Sequence, residues 1–226
     1  MQYIAKQAVA PTDWEDWFNT ATNRRSYDYK ADYSELRNIT DARAFLLGEQ
    51  HELCAYCQSA LTVEQASIEH VIPKEHNVPF STHYHNLVAV CKSTSLDNTG
   101  KRYCEEMRGS ELLPPIIFYA NAQVTETKNH TFFTAYRDGA IDVKPKLQDV
   151  ISNQVKSFID ILNLNHSILS KKRKEALDGI LSVYDLLPNL QKRNYLQVQF
   201  NRVLSNPNTP YRQYLLIYLG QKLGLN

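Results

Sequence analysis

The sequence predicts an α+β protein in which a small metal-stapled unit of two strands and a helix interrupts a mostly helical chain. Three observations lead to this fold class. All four cysteines of the 226-residue chain lie between positions 54 and 104. Apolar residues recur at helical spacing on both sides of that window. An Asp-Gly pair at 138–139 stands between two β-rich runs, which is typical of a hairpin.

Composition places the chain among soluble globular proteins, with 43% hydrophobic and 22% charged residues. The sequence has no run of about 18 apolar residues, so a membrane span is not expected. The first residues lack the charged start and apolar run of a signal peptide, so a cytoplasmic location is expected. A formal net charge of +1 is not that of an autonomous DNA-coating protein. A local basic groove, or a partner, would have to supply affinity for nucleic acid.

The first predicted segment, residues 1–50, is helical. A helix is expected to begin at Thr12 or Asp13, and one face of it carries an aromatic stripe that suits core packing: Trp14, Trp17 and Phe18. A second helix through the mid-forties then leads to the first cysteine.

The second predicted segment, residues 51–112, holds the cysteines. Short strands are expected at Ala60–Val63 and Ser67–Val71, and Asn86–Val90 suits a strand or a buried turn. A helix is expected to begin after Cys104. Two strands followed by a helix would thus surround a metal.

The third predicted segment, residues 113–226, begins with a hairpin over Thr131–Lys144 and continues as helices. Breaks are expected at Pro188 and at Asn206–Pro210, before a final helix. The basic run Lys171–Lys174 favours a solvated helix face, and the alternative is a surface for nucleic acid or an acidic partner.

The cysteines predict a structural zinc site. Cys-x-x-Cys presents two thiolates to one metal, and a second pair completes a tetrahedral set with no open position: Cys54, Cys57, Cys91 and Cys104. A redox dithiol would require a βαβ pattern, which is not visible here. His85 or His51 remains an alternative to one thiolate.

The dipeptide Glu69-His70 lies between the two cysteine pairs and suits phosphodiester hydrolysis. A neutral imidazole can take a proton from water near pH 7. A neighbouring carboxylate can hold Mg²⁺, which stabilises charge on the phosphate and the leaving oxygen. Most Glu-His pairs are only surface residues, so the indication comes from this position between the cysteine pairs.

These motifs together resemble the HNH endonuclease family. The matching residues are Cys54-x-x-Cys57, Ile68-Glu69-His70-Val71-Ile72-Pro73-Lys74, Asn86-Leu87, Cys91 and Cys104-x-x-x-Arg108-Gly109. The chain is most similar to the PtuB-like HNH nucleases of Septu-type and retron-associated anti-phage defence systems. That closer resemblance rests on the start Tyr3-Ile4-x-Lys6, the spread second cysteine pair, and Leu162-Asn163-Leu164-Asn165 before an Arg-containing helix.

The resemblance implies roles for individual residues. His70 would be the general base, Glu69 a metal ligand, and Asn86 the brace of the loop. The third position of the motif, usually His or Asn, is Glu105 here, a departure that leaves Glu106 or Asn98 as stand-ins. Lys74 and Arg108 would contact phosphates, with exposed charges near a loop as the alternative.

The resemblance also implies cofactors and partners. Zn²⁺ would be structural, and Mg²⁺ or Mn²⁺ catalytic, in a ββα-metal unit that cleaves DNA. A PtuA-like ATPase of the ABC/SMC type would be the partner, docked on residues 110–226, and in some systems a retron reverse transcriptase with its non-coding DNA/RNA. Two alternatives stay open: cleavage of RNA such as tRNA, and a non-catalytic zinc-binding adaptor for nucleic acid.

Overall fold

The computed structural model describes Ile4, Lys6, Ala10 and residues 12–22, 42–76, 82–92, 100–114 and 132–225. In chain order, the helices and strands of these residues are α1 (Thr12–Thr22), α2 (Ala42–Glu49), β1 (Ala66–His70), β2 (Leu87–Cys91), α3 (Glu105–Arg108), β3 (Phe133–Ala135), β4 (Ile141–Val143), α4 (Asp149–Ile161), α5 (Ser167–Leu186), α6 (Asn189–Ser205) and α7 (Arg212–Leu223). The combination of helices with two small sheets confirms the predicted α+β class.

The first sheet pairs β1 with β2 in antiparallel register, from Ala66 opposite Cys91 to His70 opposite Leu87. Every residue of β2 is buried, as expected for a short apolar strand covered on both faces. The amide of Gln50, just after α2, fixes the helix to this strand: it donates to the carbonyl of Ala89 (2.7 Å) and accepts from the Ala89 N–H (2.8 Å).

The strand predicted at Ala60–Val63 does not form. Ala60 makes only an isolated bridge with Leu53. Beyond it the chain turns, because the N–H groups of Gln65 and Ala66 both donate to the carbonyl of Thr62 (3.1 Å each). The partner of β1 is therefore the segment after Asn86, which the sequence left as either a strand or a buried turn.

The start of the chain contacts this unit. Ile4 is buried, and the ammonium of Lys6 lies 3.2 Å from the carboxylate of Glu49 at the end of α2. The same ammonium stands 4.5 Å from the centre of the Tyr84 ring, whose hydroxyl donates to Glu49. The Ile-x-Lys start thus packs against the end of α2.

The hairpin predicted around Asp138-Gly139 is confirmed as β3 paired with β4. Gly139 has φ +91°, and a Cβ there would lie 1.8 Å from the carbonyl oxygen of Ser170 in α5. Glycine is required at this turn both for its backbone conformation and for the close approach of the helix.

The helical half of the chain confirms the predicted breaks, since α5 ends before Pro188 and α6 before Asn206. The last helix, α7, is buried along almost its whole length, with an apolar centre from Leu215 to Leu219. Its buried residues belong to the same core as those of β1 and β2. The predicted segments 51–112 and 113–226 therefore share one core.

The basic run in α5 divides between surface and interior. Lys171 and Lys174 are exposed and pair with Glu175 and Asp178 one turn later. Arg173 is buried instead, and its guanidinium donates to the carbonyls of Gly139 (2.8 Å) and Leu164. One member of the run is thus a structural residue that fixes the hairpin to α5.

Among the helices described, none has both the length and the apolar character that crossing a bilayer requires.

Candidate metal centre and active site

The four cysteines meet at one point in the interior. Their sulfur atoms all lie within 4.8 Å of one another, and every side chain is buried. The sulfurs of Cys57 and Cys91 are 3.7 Å apart. Tetrahedral zinc with bonds of about 2.3 Å would separate its sulfur ligands by roughly 3.8 Å. The donor set and its spacing therefore fit a closed structural zinc site.

Local backbone geometry brings these sulfurs together. In the turn 54–59, the N–H of Gln58 donates to the carbonyl of Cys54 (3.0 Å), and the N–H of Cys54 donates to the carbonyl of Ser59 (2.9 Å). Gln58 closes this turn in the left-handed region, with φ +62°. The N–H of Cys91 donates to the sulfur of Cys54 (3.3 Å), an interaction that stabilises a thiolate.

The electrostatics of the cluster favour a bound cation. Burial raises the pKa of the Cys104 thiol well above its ordinary value. The pKa of Cys57 is lowered, first by the hydrogen bonds from the thiols of Cys104, Cys54 and Cys91. Without a metal, only part of such a crowded set can be ionised. Bound zinc would favour the thiolate form at all four positions.

Neither His51 nor His85 joins this cluster, which consists of the four cysteines within the described part of the chain. His85 lies in the 3-10 turn Tyr84–Asn86 before β2, where its ring packs edge-on against Tyr84. The donors that the structure brings together are therefore the four cysteines, without either histidine.

A pair of carboxylates lies beside the zinc unit, on β1 and α3. Ser67 and Glu69 lie on the same face of β1 because they are two residues apart. The hydroxyl of Ser67 donates to Oε1 of Glu105 (3.2 Å) at the start of α3. Oε2 of Glu105 is buried and has no hydrogen-bond partner in the described structure. An orphaned, buried carboxylate oxygen beside a second carboxylate fits a site for a hard divalent cation.

Arg108 occupies the interior of this unit, where phosphate contact was predicted. Its side chain is fully buried and forms an ion pair with Glu69, with Nη1 2.6 Å from Oε1. Nη1 also donates to the hydroxyl of Tyr56 (2.7 Å) and the carbonyl of His70 (2.7 Å), and Nη2 donates to the carbonyl of Val71 (2.6 Å). The phosphate role predicted for Arg108 does not agree with this position, because the guanidinium is enclosed and its donors are engaged.

Glu69 is held by two donors on the same oxygen. Besides Arg108, the hydroxyl of Tyr56 donates to Oε1 at 3.2 Å. Burial raises the pKa of Glu69 to about 7, against the opposing effect of Arg108, and the charge of Glu105 raises it further. Burial likewise raises the pKa of Glu105. A cation between the two carboxylates would favour the ionised form of both.

The turn after β1 is braced by Asn86. Its side-chain oxygen accepts from the N–H of Ile72 (2.7 Å), and its side-chain nitrogen donates to the Ile72 carbonyl (3.0 Å). His70 is the half-buried last residue of β1, directly before this turn, and Lys74 is exposed within it. Of the two stand-ins for Glu105, Glu106 is exposed and pairs with Arg102, and Asn98 lies outside the described residues.

A second group of contacts joins the zinc unit to the hairpin through the segment 162–166. The N–H of Cys104 donates to the carbonyl of Leu162 (2.9 Å), and the amide of Asn163 donates to the carbonyl of Arg102 (2.8 Å). Asn165 bonds both the N–H (2.9 Å) and the carbonyl (2.8 Å) of Ile141. The repeated Leu-Asn motif thus links Cys104, the last cysteine of the cluster, to β4.

Sequence reasoning missed Tyr56 and Ser67 as residues of the site. It also placed Arg108 at the surface instead of in the interior. Tyr56 stands between the first two cysteines, and Ser67 stands two residues before Glu69. The alternation of β1 could have identified Ser67. No local pattern predicts the contacts of Arg108 with partners about 40 and 50 residues earlier in the chain.

Comparison with known proteins agrees with this chemistry. The chain is similar to a Vibrio cholerae protein named "Retron Vc95 putative HNH endonuclease", with 25% identity over 179 residues, covering 76% of this chain and 80% of that protein. No protein-family profile matches the chain. The similarity supports a nuclease of the HNH kind, and the cysteine cluster supports a bound structural metal.

Proposed function

We propose that this protein is a metal-dependent HNH endonuclease that cleaves phosphodiester bonds in DNA. The observation that carries the proposal is the buried, unbonded Oε2 of Glu105 on α3, whose carboxylate interacts electrostatically with Glu69 on β1, directly before the braced turn that follows His70. In this reading β1, β2 and α3 form the ββα-metal unit, and the four cysteines are its structural staple. The similar Vibrio protein supports the reaction class.

In the proposed reaction His70 is the general base that takes a proton from the attacking water. Glu69 and Glu105 would hold a divalent cation, Mg²⁺ or Mn²⁺, which supplies charge stabilisation at the phosphate and the leaving oxygen. Asn86 positions the backbone after His70 through its two bonds to Ile72. Arg108 and Tyr56 hold Oε1 of Glu69, which fixes the orientation of Oε2. Lys74 is exposed in the turn and is proposed to contact a phosphate.

The wider assignment is an effector of anti-phage defence of the PtuB-like kind. An ABC/SMC-type ATPase and, in some systems, a retron reverse transcriptase with its non-coding DNA/RNA are the proposed partners. The word retron in the name of the similar protein supports this setting. Residues 110–226 remain the proposed docking region for the ATPase.

One observation favours a second candidate, the non-catalytic zinc adaptor. Glu69 already has a cationic partner in Arg108, and this buried ion pair agrees with a purely structural role for both residues. The orphaned oxygen of Glu105 favours the nuclease, because a purely structural pair gives no reason to bury it unbonded.

The test is cleavage of duplex DNA, single-stranded DNA and tRNA by the purified chain with Mg²⁺ or Mn²⁺. His70→Ala is expected to reduce cleavage by about 10²- to 10⁴-fold, the usual contribution of a general base. His76→Ala is the matched control, because that imidazole is exposed and its described hydrogen bond is with the carbonyl of Ser110. Equal cleavage by wild type and His70→Ala would contradict the nuclease. Preference for tRNA would establish the ribonuclease instead.

A further inference from the structure

A groove lies between α5 and α6, away from the residues assigned to metal and catalysis. Its cavity volume is about 550 Å³, and residues of the loop 206–211 between α6 and α7 also line it. The groove shares no residue with the zinc cluster or the carboxylate pair. Its two walls differ in chemistry, which indicates what it can bind.

The α5 wall is apolar and small. Ala176, Gly179, Ile180 and Val183 follow at helical spacing and line this side. The opposite wall, on α6 and its end, is a stripe of Tyr195, Gln199, Arg202 and Asn206. These residues are separated by four, three and four positions, so they lie along one face of the helix.

The α6 and α7 side of the groove is free of carboxylates, and the nearby carboxylates of α5, Glu175 and Asp178, are paired with Lys171 and Lys174. Residues 186–226 contain five Lys and Arg and no Asp or Glu, although the whole chain has 24 acidic residues and a net charge of only +1. One of the five, Arg212, is buried and bonds the carbonyls of Val203 and Leu204. The other cations and the amides of α6 remain near the surface: Lys192, Arg193, Arg202 and Lys222, with Asn189, Gln191, Asn194, Gln197, Gln199 and Asn201.

Arg202 is the charged residue that lines the groove. It is exposed and makes no ion pair with any residue of the described chain. Tyr195 lies two helical turns earlier on the same face, and its hydroxyl donates to the carbonyl of Ile180 across the groove (3.0 Å). That bond fixes the ring at the boundary between the apolar and the polar wall.

We propose that this groove binds a single strand of nucleic acid as a second site, separate from the reaction centre. The guanidinium of Arg202 contacts a phosphate, the amides of α6 contact base edges, and bases pack on Tyr195 and the apolar α5 wall. Residues 186–226 add no carboxylate that would repel a phosphate. The inference rests on the proposed function only in taking nucleic acid as the anionic occupant.

The experiment is fluorescence anisotropy with a labelled 20-nucleotide single strand of mixed sequence. The full-length chain carries His70→Ala throughout, and no Mg²⁺ is added, so that binding is measured without cleavage. Arg202→Gln is expected to weaken binding and to reduce the salt slope by about 0.7, the value for one phosphate contact with a single strand. Tyr195→Leu is expected to weaken binding about tenfold through lost stacking.

Gly179→Leu tests the groove itself. A Cβ at Gly179 meets nothing within 4 Å, so the larger side chain enters the groove without a clash at its base and raises helix propensity. Binding is expected to fall by about tenfold or more, comparable to the loss of a stacked base. Lys171→Gln is the matched control, because it removes one positive charge from the exposed face of the same helix.

The inference is overturned if the chain binds no oligonucleotide, if Arg202→Gln and Gly179→Leu both bind like the parent, or if Lys171→Gln weakens binding as much as Arg202→Gln. Competition by polyglutamate at equal charge, as strong as that by unlabelled oligonucleotide, would show instead that the groove takes acidic protein. Zinc content and circular dichroism establish that each variant is folded. If Gly179→Leu does not fold, the result for Arg202→Gln alone decides the test. Failure of wild type to cleave would remove the proposed function and leave this result standing.

Discussion

At the scale of single residues, Arg108 connects the turn that carries the first two cysteines with the strand that carries the residues proposed for catalysis. Its guanidinium joins Tyr56 from the first zinc turn to Glu69 and the carbonyls of His70 and Val71 at the end of β1. A buried arginine with this many acceptors sets the position of the backbone around the proposed base. Its loss should therefore affect stability before it affects any contact with substrate.

Arg108→Leu is expected to lower the free energy of unfolding by about 3–5 kcal/mol, since it leaves Glu69 buried without its cation. Arg102→Leu, which removes an exposed i,i+4 pair with Glu106, should cost no more than about 1 kcal/mol. Urea denaturation of the zinc-loaded chain measures both. Adding Glu69→Gln to Arg108→Leu should recover part of the loss, and no recovery would contradict the pairing as the cause.

Glu105 and Glu106 offer a matched pair of neighbouring carboxylates. Glu105→Gln is expected to reduce Mn²⁺ affinity and cleavage by about 10- to 100-fold or more. Losing a residue that only orients a metal ligand already has an effect of this size, and Glu105 is proposed to be a ligand itself. Glu106→Gln should change both by less than about twofold, since Glu106 contributes only an exposed ion pair. Electron paramagnetic resonance of Mn²⁺ reports binding independently of activity. Equal effects of the two variants would exclude Glu105 as the third-position residue.

At the scale of elements, the sequence predicted well those features that depend on local chemistry. The grouping of the four cysteines follows from their spacing, the hairpin from Asp138-Gly139, and the helix ends from Pro188 and the 206–210 region. It failed where partners are distant in the chain. The strand partner of β1 is about 20 residues away, and the acceptors of the terminal nitrogens of Arg108 lie 37 to 52 residues earlier. The burial of Arg173 was likewise hidden in a run of lysines.

The turn 54–59 should hold its structure only with metal. Cys57→Ser is expected to lose zinc and folding stability together, because apparent zinc binding energies on the order of 10 kcal/mol become folding energy. Ser59→Ala removes only a hydroxyl 3.1 Å from the Cys57 sulfur and should keep one zinc per chain. Native mass spectrometry and thermal denaturation give the two readouts. Full zinc retention by Cys57→Ser would contradict the four-cysteine site.

Two glycines should respond with opposite sign to alanine. Gly139→Ala is expected to cost at least about 1–3 kcal/mol, since it combines backbone strain at φ +91° with a clash against the Ser170 carbonyl. Gly48→Ala, in α2 with open space around its Cβ, should be neutral or stabilising by up to about 1 kcal/mol. Thermal denaturation of both variants measures the difference. A harmless Gly139→Ala would show that the hairpin can move away from α5.

At the scale of the whole molecule, the C-terminal helix is part of the structure that supports the zinc turn. The carbonyl of Gln58 accepts from the N–H of Tyr211 (2.9 Å), and its side-chain oxygen accepts from the N–H of Gln213 (3.0 Å). A residue beside the zinc ligands thus satisfies free N–H groups at the start of α7. The docking region proposed within residues 110–226 is consequently limited to surfaces outside this buried helix.

Removal of residues 211–226 should destabilise the zinc unit although no ligand is deleted. The truncated chain is expected to release zinc faster to a chelator and to lose cooperative unfolding, because α7 is buried and supplies core to β3 and α6. Zinc release followed with a chromogenic chelator is the measurement, and a chain that lacks only residues 225–226 is the control. Zinc release at equal rates would contradict the dependence.

The contacts of Gln58 with the start of α7 join positions more than 150 residues apart. During synthesis on the ribosome the zinc turn emerges long before the helix that covers it, because the chain is made from its N-terminus. A metal bound by the four thiols would stabilise the turn and protect the thiols from oxidation during the interval before residues 211–226 are made. If zinc is that metal, its depletion should reduce the yield of newly made folded chains more than it affects chains that are already folded.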